Sequence, residues 1–452
     1  MHNTSKMLFF PCLFPQLIQS LFVYTTFIIN IHLLFFIYNQ LYGIMISVYQ
    51  EVSEMGVSKK QQQIRSTILD KIYAKGPISR IDISKETGVT PATVSAVTGE
   101  MIGENLIYEL GEQDHLHKVG RKKILLNIAP EYCYYVGIEI SEKRFSFALT
   151  DNTGTVVTTH IEKITNINVV QEIGVHFFLE ALTIFLATLS DYPIKAIGIA
   201  LPGHYESQKS NSIITNNTIW KDFDLEKIKD NIPYPTFFAN NVNCMAIAHR
   251  LFSTENQDEN YIYLHLGRGM HSSYMYNGDL YGKENMLIGE IGHTIVQPDG
   301  EVCECGKRGC LQTYASETWL IKKARILYRG SSTSYLHQLA ESESAITVQN
   351  ILMAYNLGDE GISNLIHSAV KYIALSITNL NMMIDANKVY LHSKLLSEPK
   401  IVDLLSELLD YDPKLLTLPR HPQIVIEPYS QYTGAIAGAS LCVYRGLLRK
   451  EL

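Results

Sequence analysis

From Met7 to Gln50 the sequence contains no lysine, arginine, aspartate or glutamate. Runs such as LFVYTTFIIN and IHLLFFIYNQ are long enough to cross a bilayer. No small-residue cleavage site is clear and the apolar region is too long, which argues against a secretory signal. Two readings of residues 1–55 remain. The stretch is a membrane anchor with Lys59 and Lys60 on the cytoplasmic side, or it is translated upstream sequence ahead of a start at Met55. Phe, Ile, Leu, Tyr and Asn are what AT-rich upstream DNA encodes, which favours the second. Cysteine is also scarce, with seven in 452 residues. Cys12, Cys133, Cys244 and Cys442 stand alone in apolar surroundings, as inert core thiols do. Beyond the first fifty residues charge is ordinary. A hydrophobic content of 46% with 18% charge argues against bulk disorder, and the length allows two or three domains with a sizeable core.

The other three cysteines lie together in Gly289–Ser316, GEIGHTIVQPDGEVCECGKRGCLQTYAS. His293, Cys303, Cys305 and Cys310 offer one imidazole and three thiolates, which fill a tetrahedral zinc shell and leave no open position. A zinc ion there would be structural. Gly306 and Gly309 let the backbone fold tightly between the thiols. Clustered thiols in a cytosolic chain read as metal ligands before disulfides.

The pattern G-E-x-G-H followed by C-x-C-G-x-x-G-C resembles the signature of the ROK family of repressors, open reading frames and sugar kinases. The resemblance implies that this histidine and these cysteines hold zinc. It also implies that Glu290 and His293 face a sugar, with the second nitrogen of His293 offered to a hydroxyl. The family usually has glutamate where this chain has Gln312, which keeps an acceptor and loses the charge.

Net charge is −7, unevenly spread. Ser58–Lys123 holds eleven Lys and Arg against eight Asp and Glu, which suggests a nucleic-acid contact at one end. Ile64, Ile68, Leu69 and Ile72 mark one face of a helix that ends before Gly76-Pro77. Ser79 caps a short second helix with Asp82 as partner, and Gly88-Val89 turn the chain. Thr90 caps a third, over PATVSAVTGEMIGENLI, with Pro91 in its first position. Its apolar side is Val94, Val97, Met101 and Ile102. Ala92, Thr93, Ser95 and Ala96 point outward, toward a major groove. LIYEL and ILLNI form a hairpin whose tip carries Gly120, Arg121, Lys122 and Lys123. The tip resembles the family's wing motif, which implies minor-groove contact by Arg121, with Lys122 and Lys123 on phosphates. Ala96 stands where family repressors commonly carry arginine, so base readout is expected to be weak.

In the body, strands at Tyr134–Ile140, Arg144–Thr150, 154–160, 196–203 and 236–240 alternate with helices, which predicts an α/β sheet. Further strands are expected at 262–267, 272–277 and 389–392. A long buried helix is expected over 362–380, and the C-terminal helix is expected to return to the first lobe. The polar segment Ser331–Ala345 reads as a surface loop. The fold class is α/β: a winged helix-turn-helix, then a two-lobed actin-like (ribonuclease H-like) ROK domain. The expected boundaries are 56–128, a first lobe at 129–245 completed by 431–452, and a second lobe at 246–430.

Comparison with kinase members of the family implies that phosphoryl transfer is lost. The Asp-x-Gly-Gly-Thr loop becomes Glu139, Ile140, Ser141, Glu142 and Lys143, which puts a carboxylate where bare amides would hold phosphate. The second glycine loop becomes GRGMHS, and the adenosine-side run becomes His392-Ser393-Lys394. The catalytic aspartate becomes Asn241, an amide without useful basicity, and losing a general base costs about 10²–10⁴ in rate. The sugar side keeps Gly203, Asn217, Asn240, Asn241, Glu290, His293 and Gln312, with Trp220 nearby. The resemblance implies a cytoplasmic, non-enzymatic, sugar-responsive repressor of carbohydrate-utilisation genes, those of xylose included. It would bind operator DNA as a homodimer or higher homo-oligomer and take a small sugar or sugar phosphate.

Overall fold

Ile68, Leu69 and Ile72 recur at helical spacing and are buried along one side of α1 (Lys59–Lys75). In this computed structural model the described residues are 59–110, 123–164, 167–205, 211–215, 217–220, 222–253, 259–282, 285–410 and 423–449. The expected extension 1–55, the proposed start at Met55, and Arg121 and Lys122 at the hairpin tip lie outside the described residues. The chain divides into 1–62 and 63–452.

After α1 come β1 (Ile78–Ser79), α2 (Arg80–Thr87), α3 (Pro91–Gly103), β2 (Ile107–Leu110) and β3 (Leu125–Ile128). The Ser79 hydroxyl accepts from the Asp82 amide at 3.2 Å, and Gly88 closes α2 in the left-handed region at φ 70°. The Thr90 hydroxyl caps α3 by accepting from the Thr93 amide at 3.4 Å. The expected helix to Ile107 stops at Gly103, because Asn105 at φ 60° turns the chain and Ile107 enters β2. Thr98 is buried, where its hydroxyl donates to the Val94 carbonyl at 2.8 Å, while Val97 and Ile102 are half-buried. β3 pairs antiparallel with both β2 and β1.

The body repeats one topology. The first sheet comprises β4 (Tyr134–Ile140), β5 (Arg144–Asp151), β6 (Val156–Lys163), β7 (Ile194–Leu201) and β8 (Thr236–Asn240), in the order β6-β5-β4-β7-β8. Between its strands run α4 (Ile167–Ala187) and α5 (Leu225–Asp230), and α6 (Asn241–Phe252) follows β8. The second sheet comprises β9 (Tyr261–Leu266), β10 (Met270–Tyr276), β11 (Asp279–Leu280), β12 (Lys388–His392) and β13 (Gln423–Glu427), in the order β11-β10-β9-β12-β13. In each sheet the first three strands are antiparallel and the last two join in parallel. The second sheet is covered by α7 (Gln312–Ala315), α8 (Glu317–Gly330), α9 (Leu336–Leu339), α10 (Val348–Asn356), α11 (Glu360–Met383) and α12 (Pro399–Leu409). Ile362, Ile366, Val370, Ile373 and Ile377 give α11 its buried stripe.

The segment Ser331–Ala345 is not the surface loop its polarity suggested. Leu336 on α9 is fully buried, and Asp359 accepts from the Ser334 hydroxyl at 2.7 Å and the Tyr335 amide at 2.9 Å. One carboxylate also caps α11 through the Ile362 amide at 3.0 Å, so it anchors the segment to the helix behind it.

α13 (Thr433–Cys442) packs on the first sheet through small residues. A Cβ on Gly137 would lie 1.9 Å from the Ala435 carbonyl oxygen, and one on Gly198 would lie 1.9 Å from that of Gly438. Only glycine permits this approach. α1 is tied to the same body. Arg250 at the end of α6 grips Asp70 with two hydrogen bonds, at 2.9 and 2.6 Å. Lys71 reaches Glu259 at 2.8 Å, and Ile68, Leu69 and Ile72 share one core with Cys133, Tyr135 and Leu448.

Candidate functional site

A cleft of about 2220 Å³ is lined by both lobes. Gly203, Asn217, Asn240, Asn241, Glu290, His293 and Gln312 all border it. The volume exceeds the roughly 300–1,000 Å³ usual for a small-molecule site, so the lining chemistry rather than size must select a ligand.

At one end sits the thiol cluster. Ligand atoms of His293, Cys303, Cys305 and Cys310 all lie within 4.8 Å of one another. The Cys303 sulfur is 3.5 Å from His293 Nδ1, and the Cys305 and Cys310 sulfurs are 3.7 Å apart. That is too long for a disulfide, whose sulfurs sit about 2.05 Å apart. It matches the edge of about 3.8 Å expected for two thiolates with bonds of about 2.3 Å to a tetrahedral ion. The loop is built for this. Gly306 (φ 86°) and Gly309 (φ 70°) turn in the left-handed region, and a Cβ on Gly309 would lie 1.6 Å from the Gln297 carbonyl oxygen. Burial, then the neighbouring thiols, push the Cys310 thiol up to about 12, a shift that a cation held between the sulfurs would oppose. The donor set and its spacing fit a structural metal.

The Gln312 amide is taken up by this cluster. Its Nε2 donates to Glu304 at 2.8 Å and to the Cys303 sulfur at 3.5 Å. A glutamate could not donate that second bond.

Glu290 enters the cleft on the turn Ile291–His293. His204 Nε2 lies 2.8 Å from Glu290 Oε1, and His271 Nδ1 lies 3.5 Å from the same oxygen. Burial opposes the charge, yet His204 and His271 outweigh it and hold the carboxyl well below the usual range. Neither histidine was among the residues expected from sequence. The signal was available in part, since His204 follows the Pro202-Gly203 turn and His271 replaces a glycine of the degenerate second loop.

The asparagines are engaged. Asn240 Oδ1 accepts from the amides of Val242 at 2.9 Å and Asn243 at 3.3 Å, and its Nδ2 donates to the Gly203 carbonyl at 3.3 Å. Asn240 thus caps α6 and holds the Gly203 turn instead of presenting a free amide. Asn241 hydrogen-bonds Glu139, whose carboxyl is raised by burial and lowered in turn by Arg144 and by this bond. Asn217 Oδ1 accepts from the Ile219 amide at 3.1 Å, and its Nδ2 donates to Glu142.

Glu142 also pairs with Arg268 at 2.5 Å, which joins the β4–β5 turn to the β9–β10 turn. Behind them His265 Nδ1 and His392 Nδ1 are 2.9 Å apart. Burial lowers His265 to about 3 and His392 to about 4, so both are neutral, one donating and one accepting.

On the N-terminal helices, Ala92, Ser95 and Ala96 are exposed on α3, while Thr93 is half-buried and shares a hydrogen bond with Thr90 at 2.9 Å. Lys123 Nζ lies 3.0 and 2.9 Å from the two oxygens of Asp82, so its charge is already partnered. Among the described residues no helix is long and apolar enough to cross a membrane.

The ROK family model matches residues 135–445. The xylose repressor of Bacillus subtilis is 26% identical over 357 residues, covering 78% of this chain and 87% of its own. The DNA-binding transcriptional repressor Mlc of Escherichia coli is 24% identical over 408 residues, covering 85% and 96%. Among solved structures, a ROK family transcriptional regulator homologous to that protein superposes with TM-score 0.68 at 23% identity, over 87% of this chain and 98% of its own. A ROK family glucokinase from Streptomyces griseus superposes with TM-score 0.57 at 19% identity, over 68% and 98%. With well over half its length matched, this chain belongs to the ROK family.

Proposed function

We propose that the chain is a sugar-responsive, DNA-binding transcriptional repressor with a non-catalytic ROK domain. Relatives named as xylose, Mlc and N-acetylglucosamine repressors support it. The observation that carries the non-catalytic part is at the phosphate end of the cleft. There Glu142, Arg268 and Asn217 bind one another across the two turns, and Asn241 is bonded to Glu139. A nucleotide phosphate entering there would meet a carboxylate, and the base position offers only an amide.

In this reading residues 56–128 form a winged helix-turn-helix, with Ala92, Thr93, Ser95 and Ala96 toward the major groove and Arg121 and Lys122 at the wing. The first lobe spans 129–245 with 431–452, and the second spans 246–430. His293, Cys303, Cys305 and Cys310 would hold one structural zinc ion, which cross-links the loop and supplies no reaction chemistry. With His293 Nδ1 turned to the thiols, its other nitrogen is the one available to a ligand hydroxyl. Glu290, His293 and the cleft wall bind the sugar, with xylose the first to try. The protein acts in the cytoplasm, as a homodimer reading two half-sites.

The test has two parts. A coupled ADP assay with hexoses and pentoses should stay at background for the parent and for Asn241→Asp. A thermal-shift screen should find a sugar that raises the unfolding temperature and alters operator affinity, by about 5–150-fold in the usual range of allosteric coupling. Glu290→Ala should retain operator binding and lose that response. Turnover by the parent would defeat the non-catalytic reading, and a Glu290→Ala protein that responds as the parent does would defeat the cleft as sensor.

A further inference from the structure

His204, His271 and Glu290 come from three separate segments: the turn after β7, strand β10 and the turn ahead of His293. Their ligand atoms lie within 4.8 Å of one another. The two imidazoles approach the same carboxylate oxygen at 2.8 and 3.5 Å. Ligands of about 2.0–2.1 Å bond length at a tetrahedral zinc stand about 3.3 Å apart, close to the His271 spacing, while the His204–Glu290 hydrogen bond would have to open by about 0.5 Å. The His271 side chain is about nine-tenths buried, and its Nδ1, 3.5 Å from Glu290 Oε1, completes no well-formed hydrogen bond. The opposite nitrogen is not the one offered to a ligand, because Gly289 is packed against it. A Cβ on Gly289 would lie 2.6 Å from His271 Nε2. A buried imidazole nitrogen normally makes a well-formed hydrogen bond. Here it points toward a carboxylate that a second imidazole also approaches.

We propose that His204, His271 and Glu290 form a second metal centre, distinct from the thiol cluster, which takes a divalent first-row transition ion. Two imidazoles and one carboxylate suit Zn²⁺, Fe²⁺, Co²⁺ or Ni²⁺ rather than Mg²⁺ or Ca²⁺, which prefer oxygen-only shells. Three protein ligands leave at least one position open, and Glu290 borders the cleft, so the open position faces ligand space. The centre stands whether or not the cleft binds a sugar.

The two centres differ in their donors, which makes them separable in one titration. The metal-stripped full chain is titrated with Co²⁺ under reducing conditions and followed by absorption and by metal content. The expected result is two equivalents per chain, one with intense thiolate-to-cobalt absorption and one with weak bands only. Cys305→Ser should weaken the first and keep the second. His204→Gln and His271→Gln should each weaken the second by more than about 100-fold, beyond the roughly 10–100-fold of an outer-shell change, and keep the first. His204→Gln alters the more accessible ligand, so it reports even where His271→Gln fails to fold. Saturation at a single, thiolate-bound equivalent would overturn the proposal, as would a second equivalent that persists at parent affinity in His204→Gln.

Discussion

The two five-stranded sheets share one strand order, so their β4–β5 and β9–β10 turns occupy equivalent places at the cleft. The first turn carries Glu142 and the second carries Arg268 between Gly267 and Gly269, and the two side chains meet. One strand position back, Glu139 in the first lobe corresponds to His265 in the second, the first bonded to Asn241 and the second to His392. The supports behind these ends also differ. The first lobe is held by a glycine-paved helix contact, and the second has a thiol cluster. A repeated backbone therefore carries unlike chemistry at equivalent positions, and each lobe depends on a different interaction.

The largest expected effect lies in the second lobe. Cys305→Ser, or a strong chelator, should release the metal and lower the unfolding temperature. Zinc contributes about 10–16 kcal/mol of apparent binding energy in small structural sites, part of which becomes folding energy. Metal analysis with calorimetry checks this, and full zinc in the variant would remove the thiols from the site. In the first lobe, Gly198→Ala should cost about 1–3 kcal/mol through overpacking against the Gly438 carbonyl. A urea midpoint unchanged by that substitution would show that α13 can shift away.

The histidine pair gives a pH-dependent difference between the lobes. Burial holds His392 at about 4, below the usual value near 6.5. Its unfolded form therefore takes up a proton first on acidification. Its contribution to stability is whole above about pH 6.5 and falls by about 1.4 kcal/mol per unit as pH drops toward 4. His392→Asn should flatten that part of the stability profile, measured as urea midpoints between pH 7 and pH 4. The smallest stability effect belongs to Glu142→Gln. The Arg268 partner is 44% exposed, and exposed pairs contribute at most about 1 kcal/mol. The same change removes a tie between the lobes, so small-angle scattering should report a wider cleft.

Much of this was legible because the signals are local. Strand β4 occupies the residues its apolar run indicated, and the fold brings together the histidine and three cysteines that their spacing singled out. What escaped depends on partners far away in the chain. β1 has two residues, too few for alternation, and exists because β3 offers it an edge. α9 is too short to show a helical period and is held by Asp359. Asn240 was expected at the sugar, and what its motif did not show is that its position at the end of β8 also makes it the cap of α6. His204 and His271 gain meaning only when the fold brings both to Glu290, whose own motif gave no hint of them.

The salt link between Arg250 and Asp70 has a mechanical consequence. α6 starts at Asn241 in the cleft wall, and Arg250 near its end clasps α1, about 13.5 Å further along the axis at about 1.5 Å per residue. A stiff rod with one end in the ligand chamber and the other clamped to the first helix acts as a connecting rod. A shift of Asn241 along the helix axis would be carried toward Asp70. The clamp is two-pronged, so α1 also resists swivelling on it.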